Sequence, residues 1–164
     1  MKFLLVDRIE SLQPGKRIVT VKALTLAEEY LADHFPAFPV MPGVLMLEAL
    51  VQSAAWLVRI EQKFAKSIVV LSSARNVRYA NFVQPGRKLR CELDAISIGE
   101  DSAKFKATGW IDEAQAVSAK LELKCFNLVD RGGYLAEADA SIISDLKKQF
   151  ELVGGPAALA ACNA

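Results

Sequence analysis

The stretch VLMLEALVQSAAWLV, residues 44–58, has only three polar residues, Glu48, Gln52 and Ser53. Good helix formers dominate it and neither proline nor glycine interrupts it, so we predict a helix from Val44 to about Phe64. Because this helix is apolar on nearly all sides, we expect it to be buried on nearly all sides. A helix of this kind needs a sheet curled around it, which predicts an α+β fold.

Strand patterns lie on both sides of the predicted helix. Two strand-like runs, 6–12 and 17–24, flank Gln13-Pro14-Gly15-Lys16, which is typical of a tight turn, so we predict a hairpin. A buried strand is predicted at 68–71, and the alternation of apolar and polar residues beyond it predicts further strands with one solvated face. The prediction is therefore a two-stranded start, the buried helix and about four further antiparallel strands.

The pattern changes after Leu128, which divides the 164-residue chain into a domain over 1–128 and a C-terminal extension over 129–164. Apolar residues of the extension recur at helical spacing, so we predict an amphipathic helix over about 135–153. Small residues dominate from Ala157 onward and predict a flexible tail.

Composition and charge narrow the function classes. Twenty basic and nineteen acidic residues leave a net charge of +1, so nothing global indicates a nucleic-acid or membrane-surface partner. The three cysteines, Cys91, Cys125 and Cys162, form no CxxC pair, so we predict reduced thiols in a cytoplasmic protein rather than a metal site. Asp7 and Glu10 come too early for the apolar region of a signal peptide, so secretion is not expected.

The chain has one histidine, His34, in the proline-rich loop 33–43. An imidazole can accept a proton at neutral pH, so His34 is the first candidate for proton transfer; alternatively, it only hydrogen-bonds the loop. Glu48 is a carboxylate on an otherwise apolar helix, which is costly to bury unless it is paired or protonated. It is either a general acid or a carboxylate satisfied by Gln52, one turn on, or by a neighbouring subunit.

Gly43 stands at the helix start, where backbone N–H groups lack helical partners and carry the positive end of the helix dipole. Such a terminus can hold a developing oxyanion, although ordinary helix-start chemistry explains a glycine equally well. Glu48 lies only ~7.5 Å further along the helix axis, so one small substrate could touch both. A base, an acid and an oxyanion site together describe proton removal beside a carbonyl and loss of a hydroxyl as water, which is a dehydration.

The sequence HFPAFPVMPGVLMLEALVQ, residues 34–52, resembles the signature of the β-hydroxyacyl-[acyl carrier protein] dehydratases of the FabZ/FabA type. The resemblance extends over about residues 3–128 and implies a hotdog fold, in which an antiparallel sheet wraps around a central helix. It also implies a homodimer joined through that sheet, hexamers built as trimers of dimers, and no metal or redox cofactor. Glutamate at position 48 is similar to the FabZ type, which dehydrates without isomerising the double bond.

The resemblance implies a reaction, the dehydration of (3R)-hydroxyacyl-[acyl carrier protein] to trans-2-enoyl-[acyl carrier protein] in fatty acid or related lipid or polyketide biosynthesis. His34 would remove the C2 proton and Glu48 would help the C3 hydroxyl leave, directly or through water, with the two groups supplied by different subunits. The residues implied to bind substrate are Gly43, whose N–H donates to the thioester carbonyl, Phe35, Val44 and Gln52.

Acyl carrier proteins are acidic, and eight basic residues against one acidic residue lie between Arg59 and Arg90. We expect a docking patch formed by Arg75, Arg78, Arg87 and Lys88, unless these residues only form solvated strand faces. Two other functions stay open: a hotdog hydratase or thioesterase acting on coenzyme A thioesters, and a non-catalytic acyl-thioester-binding paralogue. The sequence lacks the Asp-x-Asn-x-x-His pattern of the hydratase relatives.

Overall fold

Six antiparallel strands form one sheet around a long helix in this computed structural model, which describes residues 3–162. The elements are β1 (Arg8–Gln13), β2 (Arg17–Ala23), α1 (Gly43–Glu61), β3 (Ile68–Tyr79), β4 (Lys88–Ile98), β5 (Ser102–Ile111), β6 (Ala114–Phe126), α2 (Ala136–Leu152) and α3 (Gly155–Cys162). The strand order is β1-β2-β4-β5-β6-β3, and α1 contacts five strands, β2 to β6. The predicted α+β architecture is confirmed.

Helix α1 forms the centre of the core. Ala49, Leu50 and Leu57 are completely buried against the sheet. Ser53 is buried as well, and its hydroxyl donates to the carbonyl of Ala49 at 2.6 Å, so this polar group has a partner. The first turn differs from the expectation of burial on nearly all sides, because Val44 is 69% exposed.

The helix also ends earlier than the predicted Phe64. Its last residue is Glu61, and Lys63 and Phe64 adopt positive φ angles of 52° and 59°, which no helix continues through. This turn places the ring of Phe64 5.9 Å from that of Phe150. The turn that ends α1 therefore packs against the C-terminal extension.

Among residues 3–162, α1 is the one helix long and apolar enough to cross a membrane, and 56% of its most apolar window is buried within the fold.

The predicted N-terminal hairpin is formed by β1 and β2, with Gly15 at φ 68° in the turn. Strand β3 runs eight residues beyond the predicted 68–71, to Tyr79. Its second half lacks regular alternation because β3 pairs only with β6 and lies at an edge of the sheet. Val70 and Leu71 are exposed at this edge.

The C-terminal extension packs on the rest of the chain. The predicted amphipathic helix is confirmed as α2, and its Phe150 contacts Trp56 of α1, with the ring centroids 5.8 Å apart. The predicted flexible tail differs from the structure, because residues 155–162 form α3 against β1. Gly155 allows this arrangement, since a Cβ there would lie 2.1 Å from the Phe150 ring. Residues 163 and 164 of the predicted tail, and residues 1 and 2, lie outside the described residues.

The α2–α3 junction covers the outer edge of β1. The N–H of Ile9 donates to the carbonyl of Val153 at 2.8 Å, outside the pairing of β1 with β2. The sheet therefore has one edge covered by its own extension and one edge, β3, that pairs with no other strand among residues 3–162.

Asp139 ties α2 to the sheet. Its buried carboxylate accepts hydrogen bonds from the N–H groups of Leu128 and Val129, both at 2.9 Å, and from the hydroxyl of Ser67. Burial opposes ionisation, but these hydrogen bonds outweigh it and lower the pKa of Asp139. Because the pKa is lower in the folded state, the carboxylate stabilises the fold above the unfolded pKa of about 3.9, and this contribution is lost as pH falls through the folded value.

Replacing Asp139 with asparagine should lower the melting temperature at pH 7 by roughly 5 °C, because both carboxylate oxygens accept backbone N–H groups and the amide NH2 that replaces one of them cannot accept. The difference from the unsubstituted protein should be smaller at pH 3, which lies below the unfolded pKa of about 3.9, because the stabilising contribution of the carboxylate falls there. Asp145→Asn is the matched control, since that side chain is 72% exposed on the same helix. Calorimetric melting at both pH values checks this, and an equal loss at pH 7 and pH 3 would contradict it.

Candidate active site

The proline-rich loop holds His34 near the start of α1. The N–H of His34 donates to the carbonyl of Tyr30 at 3.1 Å, and its ring lies 4.5 Å from that of Phe35. Further along, the N–H of Met41 donates to the carbonyl of Val83 at 2.9 Å, which ties the loop to the segment after β3. The histidine is half-buried as a result.

A cavity of about 310 Å³ lies between this loop, the start of α1 and the end of β3. Its lining includes His34, Phe35, Gly43, Met46, Tyr79 and Phe82. A Cβ at position 43 would lie 3.2 Å from the Tyr79 ring, so glycine permits the close approach of β3 to the helix start. The sequence prediction that His34 and Gly43 share one site is matched by this cavity, which we call the loop cavity.

Glu48 and Gln52 line a second cavity, of about 230 Å³, which we call the helix cavity. Its lining also includes Trp56 and Arg59 of α1 and Leu146 and Gln149 of α2. It therefore lies between the exposed side of α1 and the C-terminal extension.

Gln52 is fully engaged in hydrogen bonds. Its Nε2 donates to Glu48 Oε1 at 3.0 Å and to the carbonyl of Phe3 at 2.9 Å, and its Oε1 accepts from the N–H of Leu5 at 2.9 Å. These bonds hold the carboxylate of Glu48 in one orientation. They also fasten the segment before β1 to the side of α1.

His34 and Glu48 line different cavities of the same chain. The rise along α1 alone suggested that one small substrate could touch Gly43 and Glu48. Five residues also turn the chain by about 140° around the helix axis, so the two positions face different sides of α1. Two subunits offer a way to combine the groups, as the family resemblance implies.

Val44 and the basic residues complete the sequence-predicted set. Val44 projects from the first turn of α1 and lines neither cavity. Arg75 and Arg78 are exposed on β3, whereas Arg87 pairs with Asp112 at 2.8 Å.

Two features were not visible in the sequence. The count of basic residues over 59–90 grouped Arg59 with surface residues, but its side chain lines the helix cavity. Gln149 reaches that cavity from a distant helix. Lys120 is opposite both Arg75 and Lys106 in the strand register, so the outer sheet face is more basic than the count over 59–90 suggested.

Residues 1–120 match the family model described as the FabA-like domain. The chain belongs to this family. A 3-hydroxyacyl-[acyl-carrier-protein] dehydratase FabZ from Clostridium kluyveri is 35% identical over 119 residues, which cover 73% of this chain and 83% of that protein. The FabZ of Albidiferax ferrireducens is 41% identical over 122 residues, covering 73% and 81%. The resemblance found in residues 34–52 is thus confirmed.

Solved structures with low sequence identity share the fold of this FabA-like protein. The dehydratase heterocomplex ApeI:P from Xenorhabdus doucetiae has a TM-score of 0.66 at 16% identity, covering 82% of this chain and 90% of that chain. The E. coli PaaI protein from the phenylacetic acid degradation operon has a TM-score of 0.54 at 12% identity, covering 71% and 81%. Together with the sheet wrapped around α1, these similarities confirm the hotdog fold.

Proposed function

We propose that this FabA-like protein is a hydro-lyase that converts (3R)-hydroxyacyl-[acyl carrier protein] to trans-2-enoyl-[acyl carrier protein] in fatty acid or related lipid biosynthesis. The observation that carries the proposal is the loop cavity, which is lined both by the single histidine of the described residues and by the glycine that starts α1. A base beside an anion-stabilising helix terminus is what proton removal next to a thioester carbonyl requires, and this supports the proposal. The FabZ relatives support the same reaction.

The catalytic step uses groups from two chains. The thioester carbonyl accepts a hydrogen bond from the N–H of Gly43, and the helix dipole stabilises the negative charge that develops there. His34 takes the C2 proton, while Glu48 of the other subunit supports departure of the C3 hydroxyl as water. Gln52 is a positioning residue, because it holds the carboxylate of Glu48 through the 3.0 Å hydrogen bond.

The open edge of β3 supports a homodimer. Val70, Leu71 and Tyr79 are 44%, 37% and 49% exposed along this strand, and an exposed apolar edge strand favours pairing with a second strand. A two-fold pairing of β3 with a second copy joins the sheets and gives each dimer two identical sites. A hexamer built as a trimer of dimers keeps this unit intact. We infer a cytoplasmic location from the free thiols Cys91, Cys125 and Cys162.

Turnover of thioester substrates tests the function directly. We expect dehydration of 3-hydroxyacyl-[acyl carrier protein], and the reverse hydration of the enoyl product, followed by ultraviolet absorbance of the enoyl thioester. Turnover of coenzyme A thioesters alone would instead identify a hydratase or thioesterase. A folded, oligomeric protein without turnover at any chain length would identify the non-catalytic acyl-binding paralogue.

Charge reversal tests the docking patch. Arg78→Glu combined with Lys88→Glu should lower kcat/KM for the carrier-linked substrate about tenfold at low salt, because the attraction that speeds association becomes repulsion. Turnover of the same acyl chain on pantetheine should stay unchanged, since no carrier protein has to dock. The control with equal charge change is Lys16→Glu combined with Lys148→Glu, at exposed positions outside the patch. Unchanged activity on carrier-linked substrate at low salt would contradict the patch.

A further inference from the structure

Arg59 lies mostly buried within the fold although it carries a charge. Its Nε is inaccessible to solvent and has no hydrogen-bond partner, and the guanidinium makes no ion pair with any residue in 3–162. The guanidinium carbon is 5.3 Å from the centre of the Trp56 ring. Burial lowers the pKa of Arg59 to about 10, so the side chain remains positively charged at neutral pH.

The guanidinium belongs to the same cavity as Glu48. Glu48, Gln52 and Arg59 are spaced by four and seven residues, so they recur on one side of α1. The distance from Glu48 to Arg59 along the axis is about 16 Å. The helix cavity thus has a carboxylate near one end and a guanidinium near the other.

Apolar side chains form the wall between these two ends. The cavity lining includes Val51, Ala55 and Trp56 of α1, Val69 of β3 and Leu146 of α2. Gln149 of α2 also lines the cavity, and its side-chain amide supplies a second hydrogen-bond donor. A cavity lined by apolar side chains as well as by the donors of Arg59 and Gln149 fits a hydrocarbon chain with an oxygen acceptor at its tip.

This inference about the helix cavity rests on the proposed function. If Glu48 acts at C3 of the acyl group, the carbons beyond C3 extend away from the thioester and from the loop cavity. The helix cavity begins at Glu48, so it is the space that receives them. A chain ending in a methyl group would offer no acceptor to this guanidinium, which makes no ion pair with any residue in 3–162.

We propose that Arg59 is a specificity-determining residue that favours acyl chains ending in a carboxylate, with Gln149 as its second donor. A guanidinium binds a carboxylate through two parallel hydrogen bonds, which makes it the best match for such a chain end. The substrate class is therefore a 3-hydroxyacyl thioester whose far end carries a carboxylate, at a length that spans the helix cavity.

The test compares two carrier-linked 3-hydroxyacyl substrates of equal length, one ending in a methyl group and one in a carboxylate, over a series of lengths. The unsubstituted protein should prefer the carboxylate end at one length. Arg59→Met should lower kcat/KM for that substrate about 10- to 100-fold, the range expected for losing a charged hydrogen bond, and leave the methyl-ended substrate within about twofold. Gln149→Leu, which keeps Arg59 in place, should cause a smaller loss in the same direction.

Arg8→Met is the matched control, because Arg8 is exposed and its side chain lines neither cavity. It should leave both substrates unchanged. An equal loss on both substrates with Arg59→Met would overturn the proposal and give Arg59 a purely structural role. Dissociation of the oligomer without a change in preference would also overturn it, since Arg59 would then pair with a carboxylate of a second copy.

Binding measurements distinguish a failure of this inference from a failure of the proposed function. If neither substrate is turned over, the dehydratase assignment fails, and calorimetric titration with the two acyl pantetheine thioesters still tests the cavity. Tighter binding of the carboxylate-ended thioester, lost in Arg59→Met, would support the specificity role. Equal affinities would overturn it.

Discussion

Replacing His34 with alanine should lower kcat for dehydration by about 10²- to 10⁴-fold, the range that general acid–base catalysis contributes. The protein should keep its fold, because the structural bond of this residue is the backbone N–H donated to Tyr30, which alanine retains. Glu48→Gln should cause a loss of similar size, since the amide keeps the hydrogen-bonding shape but cannot transfer a proton. Stopped-flow or steady-state measurement of enoyl thioester absorbance checks both.

Glu61→Gln is the control for the second substitution, because Glu61 is an exposed carboxylate at the other end of α1. It should leave kcat unchanged. Circular dichroism and size-exclusion chromatography establish that each variant is folded and assembled. Full activity in a folded His34→Ala protein would remove the histidine from the mechanism and with it the proposed dehydration.

Mixing the two inactive variants should restore activity. In a dimer that builds each site from His34 of one chain and Glu48 of the other, a chain with His34→Ala and a chain with Glu48→Gln together form one intact site. Random assembly should therefore recover about a quarter of the sites of the unsubstituted protein. Co-expression of differently tagged chains, with purification of the mixed dimer, raises the recovered fraction of sites to half and so gives a larger signal in the assay.

The control for mixing is a chain that carries both substitutions. Paired with a chain carrying His34→Ala, it supplies no functional histidine, so no activity should return. If mixed dimers of the two single variants are as inactive as their parents, each site is built from one chain. Within this structure that outcome would require the loop to move, because His34 and Glu48 line different cavities.

Hydrophobic periodicity predicted the fold well where one face of an element meets the core. The burial of α1 follows from its near-absence of polar residues, and the hairpin follows from the turn around Gly15. Strand β3 was predicted too short because the part near Tyr79 lies at an edge with little core contact, so its sequence shows no alternation. Helix α3 was missed because an eight-residue helix is marginal on its own, and its stability comes from packing on β1.

Local sequence predicted part of the candidate site. His34 and Gly43 are in one loop and helix start, so their proximity needs no long-range contact. Predicting that Glu48 lines another cavity requires the rotation of residues around the axis of α1 as well as the rise along it. Gln149 and Arg59 line one cavity only because the C-terminal extension folds onto α1, and no local pattern carries that information.

The hydrogen bond from Ile9 to Val153 also determines how far assembly can proceed. A sheet with two bare edges can add copies at both, and repeated addition produces an open-ended ribbon of the kind seen in fibrils. Here the extension occupies the β1 edge, so pairing through β3 uses up the last available edge in each chain. With the proposed pairing through β3, growth by strand pairing would stop at two copies, and the extension would act as a built-in terminator of polymerisation.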